Sequence, residues 1–506
     1  MLIRLCVLAL FFFFLGASLS EAVIRSVKIY RATGDGITDD TAAINAAIRL
    51  LHAGDELFFP CGTYLISSGL NIGVSNVTVD GAPGCATIKA TGSGYFAMTI
   101  GGTVSGSTPL TATAAELATT FSANFANIGG LNAGDYVFLQ EGGRDYSTDT
   151  APGHDTGCDV SGCRGEILKI ASVSGNTATV ATALHFPYDP VVNAANVSKL
   201  ANPAIGVIVQ NLTFDGSGTV TIGLYMRAVA ESTVANVKFT NFSLEGALSY
   251  WGYNLAWNNI TMTNIGGHGG SMFTLVDQGN ASVNGMTLSA WSATDVGFAL
   301  HTTANGTYTN LIVNKAGGGP GRACKIHATS YSTFNGLTCE NSDPGGTSNL
   351  NGIVFNYYSS HNTFNNCVVT NNSGDGIVGF GNYNQYNTFN NCTVSGNTIY
   401  QMYAGGQSAL GNRDDHYWTV NGGTYTSLAG LLNIQLYSSN NSYVHDVHFV
   451  GPGVHGLNIP ANNACVNNNT FSGFTTDIVL NGTNNLGAGN ITPDGTIPAL
   501  ITGRCP

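Results

Sequence analysis

Charge is what this chain has least of. Only 9% of its 506 residues are Asp, Glu, Lys or Arg, 17 basic against 29 acidic, for a formal net charge of −12. That scarcity excludes a coiled coil or long helical bundle, which run rich in Glu, Lys, Ala and Leu. Disorder is excluded too, because 43% of residues are hydrophobic and disordered chains combine low hydrophobicity with high charge. The lack of any basic run argues against nucleic acid as a partner. No later apolar stretch reaches the ~20 residues that a membrane span needs. The cysteines show no zinc-ligand spacing with His. What the chain has in excess is Gly, at 66 residues, together with Asn, Ser and Thr. This is the composition of an all-β protein rich in turns.

Residues 1–22 read as an export signal. Arg4 supplies the positive start, Leu5 to Leu15 the apolar core, and Ser20-Glu21-Ala22 a small-x-small cleavage site. The expected localisation is secreted, with no membrane association after cleavage. Cys6 would leave with the signal. The remaining cysteines form an even set: Cys61, Cys85, Cys158, Cys163, Cys324, Cys339, Cys367, Cys392, Cys465 and Cys505. Disulfides in an oxidising compartment are the simplest reading.

A short pattern, apolar-x-Asn-apolar-x-apolar, recurs along the chain. Copies start at Val74, Val209, Val234, Trp257, Val283, Tyr308, Phe334, Phe364 and Phe389, with weaker ones at Val420, Val444 and Val466. From Val209 onward the steps between copies run from 22 to 31 residues, the period of a solenoid. Alternation inside each copy means a strand, since a helix would show a 3.6-residue stripe. The expected fold is a parallel β-solenoid with coils stacked about 4.8 Å apart. The third position is Asn at 76, 211, 236, 259, 310, 366, 391 and 468. Asn tolerates a left-handed turn, and its amide can bond the same group one coil away. A buried structural ladder is therefore expected. Cys367 and Cys392 share one repeat position in adjacent coils and are the first expected pair, with Cys324 and Cys339 the next.

The segments Ala32-Thr33-Gly34-Asp35-Gly36-Ile37-Thr38-Asp39-Asp40-Thr41-Ala42-Ala43-Ile44 and Phe58-Phe59-Pro60-Cys61-Gly62-Thr63-Tyr64 resemble the N-terminal region of pectate-lyase-superfamily proteins. The resemblance implies a right-handed parallel β-helix. It leaves the chemistry open among lyases, hydrolases, epimerases and phage tailspikes. Thr38 or Asp39 would cap a helix with Ala43, Ile44, Ala47, Ile48 and Leu51 on its apolar face. Such a helix would cover the open end of the solenoid, leaving Asp35, Asp39 and Asp40 as turn and cap residues. The coil pattern lapses between Thr103 and Asn202, where Gly134 to Leu139, Ile167 to Ile170 and Val173 to Val180 read as strands. Cys158 and Cys163 would staple a polar loop there. Asp145, Asp149, His154, Asp155 and Asp159 crowd that loop; calcium is one reading and a solvated loop the simpler one, so no cofactor is expected. The chain thus divides into a signal (1–22), an N-terminal cap with first coils (23–102), a β-rich insertion (103–202), the parallel β-helix (203–480) and a tail (481–506).

A second strand follows each repeat copy. Alternation places Arg227, Trp251, His301, His327, Asn356, Phe380, Tyr403 and Tyr437 in one outer row, with Lys325 beside His327. Exposed aromatics along one face suit a chain of sugar rings, so Arg227, Trp251, Asn356, Phe380, Tyr403 and Tyr437 are expected to bind substrate. The alternative is that loops fold over this face. Glycoside hydrolysis needs two carboxylates flanking the bond, and the nearest acids, Glu245, Asp295 and Asp375, fall in turns before strands. Arg322, Lys325, His301 and His327 instead gather in adjacent coils. β-Elimination from a uronate needs a cation for the carboxylate, a base for the α-proton and an acid for the leaving oxygen. Arg322 or Lys325 is the expected neutraliser, and His301 or His327 the base. Neither a polygalacturonase-type acid set nor the Asp-Pro-His motif of mannuronan epimerases is evident, because Asp414-Asp415 lies in a loop and Asp343-Pro344 precedes Gly345. The expectation is a secreted, monomeric lyase of a uronate-containing polysaccharide. The alternatives are a hydrolase using turn carboxylates, a C5-epimerase or a non-catalytic glycan binder.

Overall fold

The computed structural model describes residues 22–141, 164–192, 194–266, 270–291, 296–315, 321–343, 350–379, 384–405, 415–437 and 439–493. Outside the insertion, the strands join through parallel pairings from coil to coil, a solenoid of the right-handed sense that parallel crossovers adopt. Its coils share one plan. The strand Ile222–Ala230 turns a corner at Glu231 and runs into Thr233–Thr240, which bends at Asn236. The next coil pairs in register, Val234 with Trp257, Val237 with Ile260 and Phe239 with Met262. Val234, Val237 and Phe239 are buried while Lys238 faces out, as the alternation predicts. Identical core positions stack on one another, so that Phe334, Phe364 and Phe389 lie ring on ring at 4.3 and 5.0 Å.

The repeat asparagines do form a column, for a different reason than expected. Asn236, Asn259, Asn310, Asn366 and Asn391 all have φ near +54°, and Gly285 and Gly336 fill the coils between them. This is the left-handed region, costly to most residues and tolerated by Asn and Gly. The side chains face solvent. Asn259 Nδ2 donates a hydrogen bond to Asn236 Oδ1 (2.9 Å) and Asn236 Nδ2 to Asn211 Oδ1 (3.1 Å), and a glycine then interrupts the line. The buried ladder runs elsewhere. Asn387 Oδ1 accepts from the backbone N (3.2 Å) and Nδ2 (3.0 Å) of Asn362, whose own Oδ1 accepts from Ser332 N at 3.1 Å. Ser342, Asn372 and Asn397 repeat the scheme at another corner. Each buried amide satisfies a backbone N–H that the corner would otherwise orphan.

Asp39 accepts Thr41 N at 3.0 Å and so starts the one α-helix among the described residues, Thr41–Ile48, which buries Ile44, Ala47 and Ile48 over the first coils. The insertion is a six-stranded antiparallel sheet from Thr103–Pro109 to Asn196–Ala201. It has its own core of Phe121, Phe125, Leu139, Leu168 and Phe186. Its other side packs Tyr136, Phe138, Ile167 and Leu200 against Trp251 and Tyr253 of the solenoid. Cys158, Cys163 and the acidic loop between Asp145 and Asp159 lie outside the described residues. Disulfides join Cys61 to Cys85, Cys324 to Cys339 and Cys367 to Cys392; the last two are the expected pairs.

Two asparagines four residues apart should therefore respond differently to truncation. Asn362→Ala leaves buried backbone groups unpaired and should cost ~1–3 kcal/mol. Asn366→Gly keeps the left-handed bend and should change stability by only a few tenths, roughly the scale of a tolerated turn substitution. Thermal unfolding of the two variants checks this. Alkylation of the native, unreduced protein should label neither Cys367 nor Cys392.

Candidate functional site

Backbone register sorts the second strands into three outward rows. The first runs Arg227, Tyr250, Val276, His301, His327 and Asn356. The second runs Tyr225, Leu248, Thr274, Ala299, Lys325, Val354, Val378 and Tyr403. The third lies along the edge where the strands begin. Ile222 pairs with Glu245 there, Ser271 with Val296, and Val296 with Arg322. Asn351 and Asp375 continue that edge, joined by backbone bonds to Ala323 (3.4 Å) and Gly352 (3.0 Å). It turns outward because a column of small residues next to it, among them Gly223, Gly246, Gly297, Gly352 and Gly376, points inward. A Cβ on Gly297 would come within 2.5 Å of Val313.

The expected single row thus becomes several positions. His301 and His327 are register partners with rings 5.5 Å apart, and Lys325 stands two residues before His327. Arg322 opens the same strand. His301, His327 and Lys325 sit together as expected, while Arg322, five residues before His327 on the strand, stands roughly 16 Å from it along the backbone. His327 is only 1% exposed, whereas His301, Lys325, Arg322 and Asn356 are half-buried. Trp251 is displaced by one residue. Tyr250 holds its register place, and Trp251 occupies the bend with φ +55°. There it is 6% exposed, beneath the insertion, with the Arg227 guanidinium 4.7 Å from its ring. Tyr403 belongs to the Lys325 row, and its ring lies 6.5 Å from that of Tyr437 beyond the strand end. Phe380 and Asp295 lie outside the described residues. Over much of its length the floor is covered, since Leu248, Thr274, Val276, Ala299, Val354 and Val378 are all buried.

Of the two described acids, Glu245 proves to be a strand residue, whereas Asp375 lies just before the strand Ile377–Gly379 as expected. Glu245 opens the strand Glu245–Tyr253, is fully buried and accepts from the Thr274 hydroxyl at 3.5 Å. Asp375 accepts from Tyr400 N at 3.1 Å. Burial pushes its carboxyl up to about 6 against the opposing effect of that bond. Along the edge the two lie five coils apart, or about 24 Å at the strand spacing. That is far beyond the 6.5–9.5 Å, roughly, of an inverting hydrolase pair.

Alternation could not show a further feature. Tyr331, His361, Tyr386 and Tyr417 occupy one corner in successive coils, each with φ between 52 and 61°. Their rings stack at 4.5, 4.6 and 4.4 Å with interplanar angles of 2, 17 and 6°. The signal lay in the sequence, three residues ahead of the repeat starts Phe334, Phe364, Phe389 and Val420.

The Asp375 shift has a definite sign. A carboxyl with a raised folded pKa binds more protons folded than unfolded, so its contribution to stability falls as pH rises from about 4 to about 6. Asp375→Asn, which keeps an acceptor for Tyr400 N, should melt higher than the parent at neutral pH. The difference should vanish below about pH 4, where both forms are uncharged. Melting curves across that window check it.

Comparison with known proteins agrees with the fold. Residues 24–272 match the family model described as rhamnogalacturonase A/epimerase, pectate lyase-like. The mannuronan C5-epimerase AlgE1 of Azotobacter vinelandii is 42% identical over 67 residues, 13% of this chain and 4% of that protein. The chain therefore spans a small fraction of that relative's length. Among solved structures, the tailspike gp49 of Pseudomonas phage LKA1 superposes with a TM-score of 0.55 at 16% identity, covering 92% of this chain and 83% of that one. The gp54 tailspike of Acinetobacter baumannii bacteriophage AP22, solved with a capsular saccharide, gives 0.55 at 12% identity, with 95% and 79% covered. At such identities the structural likeness speaks to fold alone. With its N-terminal half matched by that model and its coils stacked as described, the chain belongs to the pectate-lyase-like family of right-handed parallel β-helix proteins.

Proposed function

We propose that the protein is a secreted polysaccharide lyase that cleaves a uronate-containing chain by β-elimination. The observation that carries this reading is that His301, His327, Lys325 and Arg322 all lie on two register-paired strands. The two edge acids, Glu245 and Asp375, stand about 24 Å apart. In the proposed reaction the Arg322 guanidinium meets the uronate carboxylate and stabilises the charge that develops at the α-carbon. His301, the more exposed of the two imidazoles, removes the α-proton, and buried His327 fixes its ring. The C–H electron pair becomes a carbon–carbon double bond, the bond to the leaving oxygen breaks, and Lys325 donates a proton to that oxygen. Tyr403, Tyr437 and Asn356 would contact neighbouring sugars.

A second reading, C5 epimerisation, has support from the local similarity to mannuronan C5-epimerases. The same groups would take the proton from one face and return one to the other, without cleavage. Hydrolysis is less favoured, because the edge acids Glu245 and Asp375 stand too far apart to flank one bond.

Incubation with a panel of polyuronates in deuterated buffer separates these outcomes. Elimination should raise ultraviolet absorbance and reducing ends together. Epimerisation should raise neither while incorporating deuterium at C5, and hydrolysis should raise reducing ends alone. Lys325→Ala and His301→Ala should each lower turnover about a hundredfold or more, the scale of a general acid–base group. Near-normal turnover in both, with loss in Asp375→Asn, would move the assignment to hydrolysis.

A further inference from the structure

The ring column stands at a cleft that the proposed elimination does not use. About 470 Å³ in volume, it lies between insertion and solenoid and is lined by Glu116, Arg164, His185, Tyr358, His361 and Tyr386 among others. One of its lining residues, Tyr358, follows the groove residue Asn356 by two positions.

Stability alone gives little reason for aromatic rings at this corner. The same position carries Asn254, Asn280 and Asn305 in earlier coils and Asn441 and Asn463 in later ones, all with left-handed φ. A bulky side chain in that conformation is strained, and the stacking of each ring pair returns a gain of similar size. The exchange is close to even. Strained residues kept in successive coils point to use of the surface they make. That surface is fixed from both sides. Tyr331 donates its hydroxyl to Glu116 of the insertion, and the His185 ring lies 5.3 Å from that of Tyr331. Tyr386 remains 42% exposed and Tyr417 36%. Because the rings cover one another's faces, the column presents edges and hydroxyls.

The charges select the ligand. Arg164 is paired with Glu141, and His185 Nδ1 lies 2.7 Å from Glu166. Burial lowers the pKa of His361, so it is neutral near pH 7. Among the described lining residues, Glu116 then carries the charge that no cation offsets. An anionic sugar would meet repulsion here, unlike in the groove, where Arg322 and Lys325 stand. A neutral ring with many hydroxyls can donate to Glu116 and exchange hydrogen bonds with Tyr386, Gln385 and Ser360. We infer that this cleft is a second saccharide site, which takes a neutral hexopyranose unit. The inference does not depend on the elimination reaction.

Saturation-transfer NMR with the methyl α- and β-glycosides of glucose, galactose and mannose tests it. At least one glycoside should receive saturation, and its signal should fall threefold or more in Tyr386→Phe and in Glu116→Gln. Both variants preserve side-chain shape, so folding is retained. The signal should persist in Lys325→Ala, and methyl glucuronide should give less than its neutral counterpart. No transfer to any of the six glycosides would overturn the proposal. So would a signal that survives both cleft variants, or one lost in Lys325→Ala and kept in Tyr386→Phe. That last pattern would place the sugar in the groove and leave the proposed function standing.

Discussion

A strand in a parallel solenoid has no hydrogen-bond partner within its own coil. Its amides pair only with the coils above and below, so each coil inherits its register from its neighbour. That inheritance creates columns, because a residue type placed at one phase of the repeat meets its counterpart about 4.8 Å away. Interior phenylalanines become a stack of rings, corner asparagines become a chain of hydrogen bonds, and His301 meets His327. With so few charges available, these neutral contacts replace the ion pairs that bind other folds together.

Corners are where the pairing rule runs short, and the sequence spends its special residues there. Asn362, Asn387, Asn372 and Asn397 turn inward and pair backbone N–H groups that strand bonding does not reach. Asn236, Asn366 and Asn391 turn outward and contribute chiefly a tolerated backbone angle. The small residues next to Arg322 and Asp375 do something else again. By pointing inward where the core has no room, they swing the following position out to the groove edge. The chemistry of the groove thus depends on residues that never touch it.

This division explains what could be read from the sequence. The repeat phase, the solenoid, the Cys367–Cys392 pair and the meeting of His301 with His327 follow from counting residues along the strands, since the registers of these coils hold without a shift. Alternation fails across a corner. One left-handed residue inverts the parity, which is why Trp251 sits beneath the insertion while Tyr250 takes its place in the row. At Glu245 and Asp375 it is the inward-pointing Gly246 and Gly376 that break the alternation. Inward and outward asparagines are one letter in the sequence, and only the corner they occupy separates them. The column from Tyr331 to Tyr417 was visible as a phase of the repeat, although its stacking could not be foreseen without knowing that the phase is a bend.

The stack also has a direction of failure. In a one-dimensional array each coil is held by two neighbours, except at the ends, so opening begins there and travels inward. The helix Thr41–Ile48 closes the first coils, and the groove cluster lies well inside the array. A disulfide, Cys367 to Cys392, ties two coils together just past that cluster. Fraying that enters from the far end must therefore pass a covalent stitch before it reaches His301 and Lys325. A covalent tie between coils thus divides a uniform stack into a held part and a part free to open from its end.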